Sequence, residues 1–244
     1  MDFANFIFYI LLFIVAFLYS SVGHGGASGY LALMTFFSFS PAVSRQSALL
    51  LNIFVSLIAF IQYYKSNNFK IRLFIPFAIT SIPAAFAGGL ITLDSGNYKK
   101  MLAVLLLVPA IKLLSENRKT EVELKKQNVA LSLIIGLIIG FVSGIIGIGG
   151  GILLSPIILM LGWGNVKQTA AVSALFIFVN SIAGITGIAA KGFNLSSNMV
   201  FMVIVALAGG VAGSYFGARK FDNKSLKIIL AVVLIIASVK LFIT

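Results

Sequence analysis

The feature that most constrains this chain is a succession of long apolar runs separated by short polar gaps. Ten runs can be marked, at 3–22, 28–39, 46–64, 71–92, 98–115, 128–146, 151–162, 168–190, 198–218 and 225–243. A helix rises about 1.5 Å per residue and needs about 20 residues to cross a hydrocarbon core of about 30 Å. Eight runs approach that length. Runs 28–39 and 151–162 would reach only about 18 Å, as re-entrant or broken helices do. Of the 244 residues, 60% are hydrophobic and only 10% charged, so most of the outer surface must meet lipid. No run shows the sustained period-two alternation of a membrane barrel. The expected fold is an all-α polytopic membrane protein, with about eight full-length transmembrane helices plus two short re-entrant or broken ones. Its expected location is the cell membrane, inner or plasma, as a multi-pass protein. The start of the chain, with Asp2 and no basic stretch, does not read as a signal peptide.

Composition also narrows the chemistry. There is no cysteine, one histidine and six acidic residues. Thiol catalysis and cysteine-ligated metal are excluded, and little is left for a hydrolytic centre or a metal cage. No enzyme activity, cofactor or metal is expected. The net charge of +12 comes from basic residues placed in the gaps between apolar runs. That placement fits anionic lipid and the positive-inside bias, with no nucleic-acid partner.

The chain reads as two related halves. Gly23-His24-Gly25-Gly26 matches Gly147-Ile148-Gly149-Gly150, and Arg45-Gln46-Ser47-Ala48 matches Lys167-Gln168-Thr169-Ala170. Ala87-Gly88-Gly89 matches Ala208-Gly209-Gly210, and the run from Lys99 matches the run from Lys227. Four matches in the same order point to a duplication: a first transmembrane repeat at 1–115, a polar cytoplasmic linker at 116–127 and a second repeat at 128–244. If each half crosses an odd number of times, the halves are inverted, and 13 of the 18 basic residues fall inside. Parallel halves would leave 10 inside and 8 outside. The bias therefore favours two inverted structural repeats with both termini outside. It leaves open whether 3–22 and 28–39 both cross or together form a re-entrant hairpin.

The most informative segments are the glycine-rich breaks, SSVGHGGASG at 20–29 and SGIIGIGGGILLSP at 143–156. Glycine readily takes positive φ and weakens a helix interior. Inside a membrane such a break survives only when buried or lining a cavity. The helix that restarts after it presents unpaired N–H groups and the positive end of a dipole, an anion site needing no charged side chain. Paired breaks at matching positions of inverted halves point to a transporter's binding site. The plainer alternative is that these glycines only allow helices to pack closely. Gly136, Gly140 and Gly144, and likewise Gly209, Gly213 and Gly217, fit that packing role.

The candidate substrate-binding residues are His24, Gly25, Gly26, Ser28, Gln46, Asn52, Gly149, Gly150, Gly151, Gln168, Ser173 and Asn180. His24 is the only group whose unperturbed pKa lies near neutrality. It either bonds an anion, takes a coupling proton or merely holds the turn. Arg45 and Lys167 each open a helix, where a cation opposes the dipole. They are candidates for attracting an anion at each mouth, with interfacial snorkelling as the alternative. Asn52, Ser173, Asn180 and Ser181 lie within spanning segments, where polar side chains either join helices or face a cavity.

These residues resemble a known family. The stretches GFVSGIIGIGGGILLSPIIL at 140–159, NVKQTAAVSALFIFVNSIAG at 165–184 and SSVGHGGASGYLALMTFFSFSP at 20–41 are similar to those of the sulfite exporter TauE/SafE family, grouped with sulfonate permeases. The resemblance covers nearly the whole chain. It implies transport of sulfite, an organosulfonate or a related oxyanion. The residues alone point to a small anion and say nothing of sulfur. An anion channel and a membrane scaffold subunit remain as alternatives. The partners expected are a small anionic substrate and the lipid bilayer, and a homodimer is compatible with the chain.

Overall fold

The computed structural model describes residues 3–91, 124–192 and 197–222, together with Leu107, Ile111, Ile228, Val232, Ile235 and Val239. Apart from those six positions, the predicted runs 98–115 and 225–243 and most of the linker lie outside the described residues. Among the described residues all regular structure is helical: α1 (Phe3–Ser21), α2 (Ala27–Phe36), α3 (Pro41–Lys65), α4 (Ile71–Gly89), α5 (Val129–Ile146), α6 (Gly151–Leu161), α7 (Val166–Ala189) and α8 (Ser197–Arg219). Five of these, α3, α4, α5, α7 and α8, are long and apolar enough to cross a membrane. The chain is an all-α polytopic membrane protein.

The helix ends follow from local chemistry. α3 starts five residues before the apolar run does, because Ser40 caps it by accepting from Val43 N and Pro41 takes the first position, where no N–H is needed. Arg45 therefore sits in the second turn of α3 and does not open the helix. α7 begins as the sequence suggests, with Asn165 as cap and Gln168 closing a reciprocal capping box. α5 opens on Asn128, which accepts from Leu131 N, and ends where Gly147 turns left-handed at φ 87°.

The two short helices settle a point the sequence leaves open. Phe8, near the start of α1, packs on Phe37 and Phe39 just past the end of α2, with ring centroids 5.2 and 5.3 Å apart. At the other pair, Lys125 N, just before α5, donates to the Gly162 carbonyl at the end of α6 at 2.8 Å. Each pair, α1–α2 and α5–α6, is therefore a hairpin that returns to the face it left. The hairpins open at opposite faces. Phe39 lies immediately before α3, whereas Gln127 donates to Leu73 O at the start of α4, the face where α3 ends.

Around these hairpins α3 packs against α7, α4 along α5, and α1 along α8. The last two contacts are backbone-close. A Cβ at Gly136, Gly140 or Gly144 would run into the carbonyl oxygens of Phe77, Ser81 or Ala85 on α4. On α8, Gly209, Gly213 and Gly217 meet the carbonyls of Phe13, Phe17 and Ser21 in the same way. Without a hydrophobic force between helices in lipid, such close approach supplies the packing energy. The opposite face of α5 presents Ile134, Leu137 and Ile138, each more than half exposed, which is the face lipid solvates.

Replacing Gly140 by Leu should force α4 and α5 apart. Overpacking costs about 1–3 kcal/mol or more, which corresponds to a fall of about 5 °C or more in a chain this size. Ile138→Leu, on the lipid face of the same helix, should leave the midpoint unchanged. Thermal unfolding in detergent checks both.

Candidate functional site

Both glycine breaks lie at the crossing of α3 and α7. The backbone turns at Gly23 (φ 77°) and Gly26 (φ 99°) in one break, and at Gly147, Gly149 (φ 71°) and Gly150 (φ 78°) in the other. These left-handed values favour glycine, since a side chain there is strained. α2 starts at Ala27 and α6 at Gly151, neither with a side-chain cap from its own N-cap residue. The first N–H groups of each helix have no intrahelical acceptor.

Asn52, midway along α3, joins the two breaks. Its Oδ1 accepts from Ala27 N at 3.0 Å, and its Nδ2 donates to Ile148 O at 3.3 Å. This orientation of the amide is dictated by its partners, since an N–H must meet the oxygen and a carbonyl must meet the nitrogen. A second link runs from His24 in the first break. Its Nε2 lies 3.2 Å from the Gly151 carbonyl and 2.9 Å from Ser155 Oγ. Ser155 Oγ is in turn 2.7 Å from Ser173 Oγ on α7. The starts of the two re-entrant helices thus converge, joined by side chains from α3, α6 and α7.

The surrounding polar groups are deeply buried. His24 is 4% exposed, Asn52 and Ser173 are 0%, and Asn180 and Ser181 are 1% and 0%. Several polar atoms here have no partner among the described residues: His24 Nδ1, Ser143 Oγ, Asn180 Oδ1 and Ser181 Oγ. Ser181 Oγ and Asn52 Nδ2 stand beside Gly149, and Ser143 stands beside Gly150. Buried polar groups are nearly always paired, so a cluster of unpaired ones marks a place for something polar to bind.

The electrostatics have one sign. The six acidic residues are Asp2, Asp94, Glu116, Glu121, Glu123 and Asp222, and none lies in α1–α8. Two helix N-termini meet with no carboxylate beside them among the described residues, so the site carries positive potential without a formal charge.

The structure gathers His24, Gly25, Asn52, Gly149, Gly150, Gly151 and Ser173 at this crossing. Gly26 closes the first break, and Ser28 in the first turn of α2 donates to Tyr19 Oη at 3.1 Å. Asn180 donates to Phe176 O one turn back and keeps its Oδ1 free beside Ser181 in sequence. The other four candidates lie apart. Gln168 serves the α7 capping box, and Gln46 is half-buried near the opposite face. Arg45 donates to the carbonyls of Ile91, Gly88, Gly89 and Gly144, at 2.7, 3.0, 3.1 and 2.6 Å. Lys167 donates to Ala218 O at the end of α8, at 3.3 Å. Each cation thus sits on the negative end of another helix, which offsets the cost of its own position. Two site residues escaped the sequence reading, Ser143 and Ser155, both inside the second glycine motif at 143–156. Ser181 was noted there only as a polar residue within a spanning segment, beside Asn180.

Replacing Asn52 by Leu strands Ala27 N–H and the Ile148 carbonyl in the interior. Each buried orphan costs about 1–3 kcal/mol, so the thermal midpoint should fall well below that of wild type. Ser56→Ala, which removes only a local bond to the Asn52 carbonyl, should have a much smaller effect.

Comparison with known proteins agrees with this architecture. The family model described as sulfite exporter TauE/SafE matches residues 8–241. A probable membrane transporter protein of Sinorhizobium fredii is 38% identical over 95% of this chain and 96% of its own length. Probable membrane transporter proteins of Methanocaldococcus jannaschii and Bacillus subtilis are 29% and 22% identical, over 72% and 83% of this chain and 69% and 81% of theirs. No solved structure matches the chain. With a family match that spans nearly the whole sequence and a fold of membrane-crossing helices, the chain belongs to the sulfite exporter TauE/SafE family of multi-pass membrane transporters.

Proposed function

We propose that this transporter carries a small oxyanion, sulfite or an organosulfonate, as a secondary transporter without covalent chemistry. The observation that carries the reading is the convergence of two helix N-termini in a buried site built from helices that contain no acidic side chain. Backbone N–H groups at the starts of α2 and α6 hold the anion, with the hydroxyls of Ser143 and Ser181 as further donors. A compact anion with several acceptor oxygens fits such donors better than a cation or an apolar solute. The family's name supports sulfur chemistry in particular.

The same reading makes the chain a pair of inverted repeats, 1–115 and 128–244, joined by a cytoplasmic linker at 116–127. Three observations support it. The hairpins α1–α2 and α5–α6 open at opposite faces. The pairs α4–α5 and α8–α1 occupy equivalent places around the α3–α7 contact. Arg45 and Lys167, matched in sequence, each cap the end of the helix after their own, α4 or α8. Exchange between two equivalent closures of such halves gives alternating access to a central site.

Two experiments test this. Purified protein in liposomes should take up labelled sulfite or isethionate with saturation and counterflow; no flux of either, or of related sulfonates, overturns the substrate claim. The chain has no native cysteine, so single cysteines report sidedness cleanly. Asn97→Cys should react with an impermeant thiol reagent on intact cells, and Glu121→Cys only after permeabilisation. Both on one side overturns the inverted arrangement, and the opposite pattern overturns the cytoplasmic placement of the linker.

A further inference from the structure

His24 is the one side chain at the site whose ordinary titration range lies near neutrality, and its hydrogen bonds fix which nitrogen is available to take up a proton. The Gly151 carbonyl 3.2 Å from Nε2 can only accept, so Nε2 carries the hydrogen. With Nε2–H directed at Gly151 O and Ser155 Oγ, the Ser155 hydroxyl is left to donate to Ser173 Oγ at 2.7 Å. The neutral ring then presents Nδ1 as a bare lone pair. Nδ1 is attached next to the ring's anchor carbon, so it lies beside the Gly23–Gly26 turn, while Nε2 reaches across to α6. It is buried and has no partner among the described residues.

Among the described residues no fixed charge faces this nitrogen. α1, α2 and α6 contain no Asp, Glu, Lys or Arg, and α7 contributes only Lys167 at its start, bound to Ala218 O. On α3, Arg45 is engaged with the ends of α4 and α5, and Lys65 stands at the last residue. The nearby titratable groups are the phenols of Tyr19, whose carbonyl accepts from His24 N, and Tyr30.

We infer that His24 Nδ1 is the proton-binding atom of transport, loaded together with the anion so that each anion crosses with one proton. This rests on the oxyanion reading above. An anion entering a dry site guided only by helix dipoles loses its hydration without gaining a counter-charge. A proton on an isolated imidazole there is equally unfavourable. Each offsets the other, so binding of one raises affinity for the other by the same factor. The proton moves from water to Nδ1, giving an imidazolium beside the bound anion. It returns to water on the far side when the anion leaves. Nε2–H keeps its two acceptors throughout, so the ring need not move to change charge.

The chain's single histidine makes the test direct. In nanodiscs, nitrogen NMR of histidine-labelled protein should show the neutral Nε2–H form at about pH 7 and the doubly protonated ring on saturation with sulfite. A ring that stays neutral with sulfite bound, or that starts as Nδ1–H, overturns the inference. In liposomes, isethionate has no titrating proton near neutrality. One proton per anion should concentrate it about tenfold per unit of pH gradient, alkaline inside. In His24→Gln that steady-state ratio should fall to one, however fast or slow the variant equilibrates tracer. Accumulation that persists in the variant, or wild-type tracer exchange without accumulation, overturns the proton role while leaving the oxyanion reading intact. No sulfite or isethionate movement at all overturns both. Should His24→Gln fail to fold, the NMR titration of the wild type decides alone.

Discussion

Everything distinctive in this structure follows from breaking a helix twice inside a medium that offers no hydrogen bonds. Each break frees backbone N–H and C=O groups, which cost several kcal/mol apiece if left to lipid. The protein answers by making the breaks satisfy one another. Asn52 takes an N–H from the first break and gives one to a carbonyl of the second. His24 of the first break reaches the first residue of the helix after the second. The breaks can therefore exist only together, and only where α3 and α7 cross. A site at the centre of the protein is a consequence of that mutual dependence.

The cations illustrate how a local rule can point the wrong way until the partner helix is known. A positive side chain near a helix start looks misplaced. Arg45 and Lys167 are stabilised because the following helix of each half ends beside them, with its carbonyls exposed. The two pins are unequal. Arg45 draws together the ends of α4 and α5 through four carbonyls, whereas Lys167 makes one longer bond. The face where α3 begins is held more firmly than the face where α7 begins. Opening at the second face breaks fewer charge-assisted bonds.

Much of this was legible in the sequence, for identifiable reasons. Membrane residence, the eight runs that fall within the described residues and the two breaks rest on composition and glycine placement, which are local. The glycines spaced by four on α5 and α8 announced close packing, and that is what they do. What could not be read depends on contacts between distant segments. The return of each hairpin to its own face rests on Phe8 meeting Phe37 and on Lys125 meeting Gly162. Gln168 looked like half of a symmetric pair lining a site, yet it completes the Asn165 capping box, a pattern visible in the sequence itself. Ser155 could be placed only once His24 and Ser173 were seen to flank it.

The two halves share a frame but not a chemistry. At matched positions the first half has His24 and Asn52 where the second has Ile148 and Ala174, while the second has Ser155 and Ser173 where the first has Leu31 and Leu51. The polar groups of the two halves are complementary: the amide and imidazole come from one, the hydroxyl chain from the other. They meet because His24 crosses to Ser155. A duplicated pair of identical halves would place like groups on both sides of the α3–α7 crossing, leaving donors facing donors. Divergence removed that conflict and made the site asymmetric. The inward and outward closures built on this frame are then related in geometry without being equal in energy, because the polar contacts broken on one side differ from those broken on the other. Such a difference biases the resting population toward one face without any change in the packing of the scaffold.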